Sequence, residues 1–360
     1  MSSAQPALEV ESIRKMYTEH DGVREVSLQL AQGEFLTLLG PSGSGKTTAL
    51  MAVAGLTDLD SGSIRVSGKD VTKLPPSQRD LGVTFQNYAL FPHLSVRENL
   101  AFPLKTQKKV KGRALSQKVD SMLDLIGLGH AAERRPKELS GGQQQRVALG
   151  RALIYEPDLL LMDEPLGALD RNLREQMQRE IKRIQRELKA TVLYVTHDRD
   201  EAMSMSDQVC IMNAGRIAQI DPPQKIYHEP NSEFVARFLG DANIFGARVK
   251  SKNADDYVVE LTSGAATGLT SHRTFSEGDD VRIMCRPERT EIVPAGEEGA
   301  YVRARIEHIS YYGNCFRVNG ECLDTGASVI VETQQHSLPE IGATIGLRWA
   351  EESAVLLGEG

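Results

Sequence analysis

The stretch GPSGSGKTT at positions 40–48, directly after the apolar run FLTLL (35–39), constrains this chain more than any other feature. Glycine loses more conformational freedom on folding than any other residue, so a cluster of glycines implies a backbone that must approach something closely. The spacing G-x-x-x-x-G-K-T puts Gly40, Gly45, Lys46 and Thr47 in fixed places. In that pattern successive N–H groups curl into an anion-binding nest, and the helix that follows, TTALMAVAGL (47–56), points its positive end at the same spot. Lys46 then reaches the β- and γ-phosphates of a nucleotide, the Thr47 hydroxyl ligates Mg²⁺, and Pro41, Ser42, Gly43, Ser44 and Thr48 complete the cradle. A Gly/Ser turn that happens to carry a lysine is the alternative. The strand before and the helix after favour the phosphate loop.

At 360 residues, with 40% hydrophobic and 25% charged residues, the chain has material for two globular domains. Its net charge of −7 argues against a global nucleic-acid footprint, although a local patch stays open. No apolar run reaches the length of a membrane span, and MSSAQPALEVESIRK lacks the apolar core of a signal peptide. The expectation is a cytosolic protein whose membrane role, if any, comes through a partner. Cys210, Cys285, Cys315 and Cys322 show no zinc-ligand spacing and read as scattered reduced thiols.

Up to about Ser232, apolar strand-like runs alternate with helical patterns, which implies a parallel α/β sheet. LGVTF, LLLM and TVLYV join FLTLL as buried-strand candidates. RNLREQMQREIKRIQREL (171–188) puts Leu173, Met177, Ile181, Ile184 and Leu188 on one helical face. Residues 87–155 read as a mostly helical insertion carrying the basic run KTQKKVKGR (105–113), a solvated surface or, as the weaker option, one close to anionic lipid. Beyond residues 238–245 the texture becomes β-rich: VRIMC, YVRARIEHI, CFRVN, SVIVET and TIGLRW suggest a small barrel or sandwich. We therefore expect a phosphate-loop α/β domain over 1–240, with its helical insertion, followed by a small all-β, OB-like barrel domain over 241–360.

LLLMDE (159–164) is a strand ending in two acids. Beside a phosphate loop, Asp163 is suited to hold Mg²⁺ through water and Glu164 to polarise a water attacking the γ-phosphate. TVLYVTHD (191–198) ends in His197, suited to contact the γ-phosphate or that water; a simple polar cap is the alternative when it is taken alone. VTFQ ends in Gln86, a neutral side chain able to meet both metal and water. LSGGQQQR (139–146) makes a second helix N-terminus, with the Ser140 hydroxyl and exposed amides forming a second anion-binding surface. One nucleotide does not need two cradles in one subunit. If the second closes on a nucleotide held by another copy, the protein dimerises around ATP; an ordinary helix cap is the alternative for the glycine pair alone.

The ordered set GPSGSGKT, Gln86, LSGGQ, LLLMDE, GALD (167–170) and His197 resembles the nucleotide-binding subunit of ATP-binding-cassette transporters. The resemblance implies an ATPase with Mg²⁺ that works as a homodimer closing on two ATP. Tyr17 would stack on adenine, with a core position as the alternative. Ser140, Gly141, Gly142 and Gln143 would face the partner copy's γ-phosphate, and Asp170 would connect the two sites. Gln86 and NYALFPHLSVRENL (87–100) would contact two integral-membrane permease subunits, with a solute-binding protein beyond them and no nucleic-acid partner. The subunit would lie peripherally on the cytoplasmic face of the inner membrane. The C-terminal part, with CRPE (285–288), is similar to the β-rich accessory domain of importer subunits. DPPQKIYHEPNSEFVARFLGDANIF (221–245) resembles the junction in polyamine, opine, phosphonate and ferric importers, the first three most closely. An exporter, or a soluble cassette ATPase acting on ribosomes or DNA, are the rival readings; the single cassette and appended β-rich domain favour import.

Overall fold

FLTLL is buried at all five positions, as expected for a strand paired on both edges and covered on both faces. The computed structural model describes residues 5–358 except His20, Gln86, Asn87, Lys108, Lys109, Ala168 and His336, and the chain divides into two units, residues 1–223 and 224–360. The first unit begins with β1 (Leu8–Met16), β2 (Gly22–Leu30), β3 (Phe35–Leu39), α1 (Lys46–Ala54), β4 (Ser61–Val66), β5 (Lys69–Asp70) and β6 (Leu81–Thr84). Three helices of the expected insertion follow: α2 (Val96–Gln107), α3 (Gly112–Leu125) and α4 (Gly141–Leu153). Then come β7 (Leu159–Asp163), α5 (Arg171–Leu188), β8 (Val192–Thr196), α6 (Arg199–Met205), β9 (Gln208–Asn213) and β10 (Arg216–Asp221).

Strands β9, β3, β8, β7 and β6 run parallel in the sheet β10-β9-β3-β8-β7-β6, whose edge strand β10 is antiparallel. The alternation of strands and helices anticipates this sheet. It does not anticipate the separate antiparallel sheet β2-β1-β4-β5. In β1 the register shifts after Val10 and again after Ile13, so the two-residue period that marks a half-buried strand is broken.

The insertion packs as its patterns require, with Leu100, Leu123 and Leu149 from its three helices in one apolar cluster. Met177, Ile181 and Ile184 of α5 are buried, but Leu173 is half-buried and Leu188 is 40% exposed. The expected stripe is therefore shorter, because α5 ends at Leu188 and the backbone turns left-handed at Lys189. Gln185 is buried instead, donating to the carbonyls of Gly33 and Ala190.

The second unit holds α7 (Pro223–His228) and α8 (Glu233–Leu239), then β11 (Asn243–Asn253), β12 (Asp256–Leu261), β13 (Ala266–Thr270), β14 (Asp280–Cys285) and β15 (Glu291–Pro294). It finishes with β16 (Val302–Tyr311), β17 (Phe316–Cys322), β18 (Ser328–Thr333), β19 (Thr344–Arg348) and β20 (Ala354–Gly358). These strands form two antiparallel five-stranded sheets, β13-β12-β11-β14-β20 and β15-β19-β16-β17-β18. Phe245, Val259, Ile283, Val318, Leu347 and Trp349 share their core. The division falls after Pro223 rather than near 240, so α7 and α8 go with the β-rich unit. One tie is Arg286, 1% exposed in the R-P-E turn, beside the packing of Ala236 on Met284 and Leu357. Its guanidinium donates to the carbonyls of Tyr227, Ala236 and Asp241 and lies 4.1 Å over the Tyr227 ring. Among the described residues no helix is long and apolar enough to cross a membrane.

Arg286→Met leaves three carbonyls without their donor and should destabilise the second unit by about 2–4 kcal/mol. Trp349, the single tryptophan, is buried in that unit, so its fluorescence reads the loss as a lower urea midpoint. An unchanged midpoint would mean that α7 and α8 are held by something else.

Candidate functional site

The site grows from where β3 stops. A side chain at Gly40 would collide with Met212 O, and one at Gly45, where φ is 95°, would come within 2.7 Å of Gly22 O. The loop is pinned from outside as well, since Gly215 N–H donates to Ser44 O at 3.1 Å. Pro41 is half-buried, Ser44 buried, and Ser42 and Gly43 exposed, so the loop presents its middle to solvent. Lys46, the first residue of α1, folds back to donate to Gly40 O at 2.8 Å and Pro41 O at 3.0 Å. Burial pulls its ammonium below the usual lysine range, while the Glu164 and Asp163 carboxylates draw it back up. At the far end of α1, the Arg79 guanidinium donates to the carbonyls of Ala52 and Val53, both at 2.8 Å. A cation at a helix C-terminus satisfies orphan carbonyls and opposes the dipole, so α1 is held at the end remote from the loop.

Thr47 Oγ1 donates to Asp163 Oδ1 at 3.4 Å, joining the first turn of α1 to the last residue of β7. Burial and the neighbouring Glu164 push the Asp163 carboxyl above its usual range, against Thr47 and Lys46. Glu164 has φ of 42°, a left-handed conformation costly for a non-glycine residue, and its N–H donates to Val195 O at 3.0 Å. That turn brings Glu164 Oε1 to 3.2 Å from Nδ1 of His197, two residues beyond Val195. Thr47 and Asp163 offer the hard oxygen donors that a small divalent cation takes. No cluster of three or more His, Cys, Asp or Glu suited to a metal exists among the described residues. As oxygen donors, Thr47 and Asp163 fit Mg²⁺ of the kind held by one or two protein groups and completed by substrate phosphates and water.

Lys46, Thr47, Asp163, Glu164 and His197 thus converge. Several of the remaining expected residues are engaged elsewhere. Ser140 caps α4: its Oγ accepts from Gln143 N at 3.4 Å and its N–H donates to Gln143 Oε1 at 3.0 Å, a reciprocal capping box. Gly142 packs so closely that a side chain there would meet Leu173 Cδ1 at 2.9 Å. Asp170 caps α5 by accepting from Leu173 N at 3.0 Å. Thr48 is half-buried within α1. Tyr17 is 54% exposed, with its hydroxyl 3.3 Å from Thr57 Oγ1, so it is a surface ring and not a core residue. Gln86 lies outside the described residues.

Sequence reasoning missed a buried polar group behind His197. Tyr194 OH and Thr196 Oγ1 both donate to Glu201 Oε2 at 2.7 Å, and Arg174 pairs with Asp198 at 2.8 Å. The visible signal was DRDE (198–201), an N-cap acid with a glutamate three residues on. Burial, with Asp198, pushes the Glu201 carboxyl above the usual glutamate range; Thr196, Tyr194 and Arg174 oppose this.

The chain matches the ABC transporter family over residues 23–167 and the TOBE domain over residues 283–357. It is 39% identical over 367 residues to the spermidine/putrescine import ATP-binding protein PotA of Nitratidesulfovibrio vulgaris, covering 100% of both chains. It is 42% identical over 369 residues to the protein of that name from Thermobifida fusca, covering 99% of this chain and 94% of the relative. Among solved structures it is similar to the dimeric post-hydrolysis state of the ATP-binding cassette MJ0796 bound to ADP and Pi. That likeness has a TM-score of 0.53 and 29% identity and covers 60% of this chain and 98% of the other. The chain belongs to the ABC transporter family. It is an ATPase subunit of that family, with a C-terminal TOBE domain.

The Glu201 shift has a sign that can be checked. Its folded-state pKa lies above the unfolded value of about 4.3. The stability it contributes is present below that value and is lost as pH rises through the folded one. Urea unfolding of wild type and Glu201→Gln, at pH 4 and pH 7 without nucleotide, should show the variant gaining on wild type as pH rises. A gap independent of pH would show that Glu201 is not held against its charge.

Proposed function

We propose that this subunit hydrolyses ATP to drive import of a polyamine-type cation, working as a homodimer that closes on two ATP. The observation that carries the catalytic reading is the convergence of Lys46, Thr47, Asp163, Glu164 and His197 on the ends of β3, β7 and β8. The amides of the 40–48 loop and Lys46 bind the phosphates of ATP; Thr47 and Asp163 hold Mg²⁺, which when bound neutralises charge on the β- and γ-phosphates. Gln86 is assigned to metal and water on its motif alone. Glu164 orients the attacking water and accepts its proton, and His197, 3.2 Å from Glu164, steadies that carboxylate and meets the γ-phosphate. Tyr17 supplies a stacking face for adenine. Ser140, Gly141, Gly142 and Gln143 of one copy meet the γ-phosphate in the other, and Asp170 bridges the two sites.

Closure is driven by the γ-phosphate, which contacts both copies only when they meet, so its loss on hydrolysis removes the difference that favoured the closed state. Two integral-membrane permease subunits, docked against the region after Gln86, convert closure into transport of cargo delivered by a solute-binding protein. That role puts the subunit peripherally on the cytoplasmic face of the inner membrane. The polyamine assignment is supported by full-length relatives whose names specify spermidine and putrescine. The cassette role falls to the first unit, residues 1–223, including the helical part at 87–155, and regulation to the second, residues 224–360.

Glu164→Gln should bind ATP normally yet lose about 10²-fold or more in turnover, and should accumulate as an ATP-bound dimer in light scattering. Turnover at the wild-type rate would remove the base assignment. Ser140→Arg should keep nucleotide binding by the monomer and abolish that dimer. Uptake of spermidine, putrescine, 2-aminoethylphosphonate, an opine and a ferric chelate by cells with wild type or Glu164→Gln then tests the cargo. Selective loss of the two polyamines is expected; loss of another compound would reassign it.

A further inference from the structure

Arg174, in the first turn of α5, occupies the space between three segments. Its Nη2 donates to Leu169 O at 3.1 Å, in the turn that leads to Asp170. Its Nη1 donates to Asp198 Oδ2 at 2.8 Å, immediately after His197. Its buried Nε has no hydrogen-bond partner and lies 3.8 Å from Glu201 Oε1. The planar fork of an arginine can serve these directions together, which a lysine ammonium on its flexible stem cannot do as well.

The segment it grips is fixed again from the other side. Asp198 Oδ1 accepts from the N–H groups of Asp200 and Glu201, capping α6. Asp198 N–H donates to Thr196 Oγ1, whose own hydrogen goes to Glu201 Oε2. Both neighbours of His197 are therefore locked by bonds that trace back to Arg174, Glu201 and Tyr194. The His197 ring itself is 61% exposed and has its Nδ1 3.2 Å from Glu164 Oε1. Nothing in this arrangement makes Arg174 touch the reacting atoms. What it does is set where the backbone on either side of His197 lies relative to Leu169.

We propose that Arg174 is a positioning residue for ATP hydrolysis, holding His197 in register with Glu164 by tying Asp198 to Leu169 O. This rests on the reading of Glu164 and His197 given above. A displacement near 1 Å at a reacting group costs on the order of 10²-fold in rate, so loss of the tie should appear in kcat rather than in nucleotide binding.

The test measures ATPase kinetics of the full-length protein with four variants: Arg174→Ala, Arg174→Lys, His197→Ala and the Arg174→Ala/His197→Ala double variant. Arg174→Ala should lower kcat about 10- to 100-fold with KM for ATP within about twofold. Arg174→Lys should recover part of that loss, because an ammonium can still meet Asp198. If Arg174 acts through His197, the double variant is no slower than His197→Ala alone. A double variant slowed by the product of the single effects, or Arg174→Ala at the wild-type kcat, overturns the inference and leaves the role of His197 intact. His197→Ala at the wild-type rate instead removes that role, and the inference with it. Should Arg174→Ala not fold, Asp198→Asn keeps a capping side chain for α6 while breaking the ion pair, and must show the same non-additivity.

Discussion

The register of three parallel strands fixes the geometry of everything else in the catalytic unit. β8 sits between β3 and β7, with Leu39 opposite Thr196 and Asp163 opposite Val195. The next residues along each strand therefore leave the sheet on one edge: the phosphate loop from β3, Glu164 from β7 and His197 from β8. Neighbouring strands lie about 4.8 Å apart, so groups from β3 and β7 face each other across about 10 Å, spanned by Thr47 and Asp163. Such a crevice, outside the carboxyl ends of the strands, is where open α/β sheets bind ligands. A slip of one residue in β7 would turn Asp163 to the other face and separate it from Thr47.

This edge is expensive to fold. It includes a buried ammonium, two adjacent carboxylates and a left-handed glutamate, and each opposes the folded state. Part of the offset is local, from Gly40 O, Pro41 O and Thr47, and part lies farther off. Arg79 ties down the last turn of α1, and the Tyr194–Thr196–Glu201–Asp198–Arg174 group ties β8 to α6 and α5. The buried Glu201 and half-buried Asp198 carboxylates are each hydrogen-bonded more than once, so removal of one partner strands the others. The groups that converge at this edge are thus held by a frame that lies behind them.

What could be read from the amino acids follows from how local each signal is. The loop at 40–48, the strands FLTLL, LGVTF, LLLM and TVLYV, and the β-rich runs from VRIMC to TIGLRW are short-range patterns, and each corresponds to an element in the fold. β1 escaped because its bulges break the two-residue period, and Leu188 fell outside the stripe because α5 ends there. Arg286 and Arg174 escaped for a different reason. A buried or half-buried arginine is defined by distant carbonyls and carboxylates, and an arginine in a turn or on a charged helix looks like any solvated one. The end of the first unit shifted to Pro223 on the same account, since long-range contacts, those of Arg286 among them, bind α7 and α8 to the β-rich unit.

The two anion-directed helix starts differ in a way that bears on how they are used. α4 brings its own cap, because Ser140 and Gln143 satisfy each other's backbone donors. α1 begins at Gly45 in a left-handed conformation, with no side-chain cap. Its orphan amides can be satisfied only by solvent or by an anion, whereas its last carbonyls are taken by Gly55 and Arg79. A helix closed at one end and open at the other gains most when an anion arrives, so nucleotide binding supplies the missing cap of α1. The capped α4, whose first amides already have a side-chain partner, has less to gain from an anion.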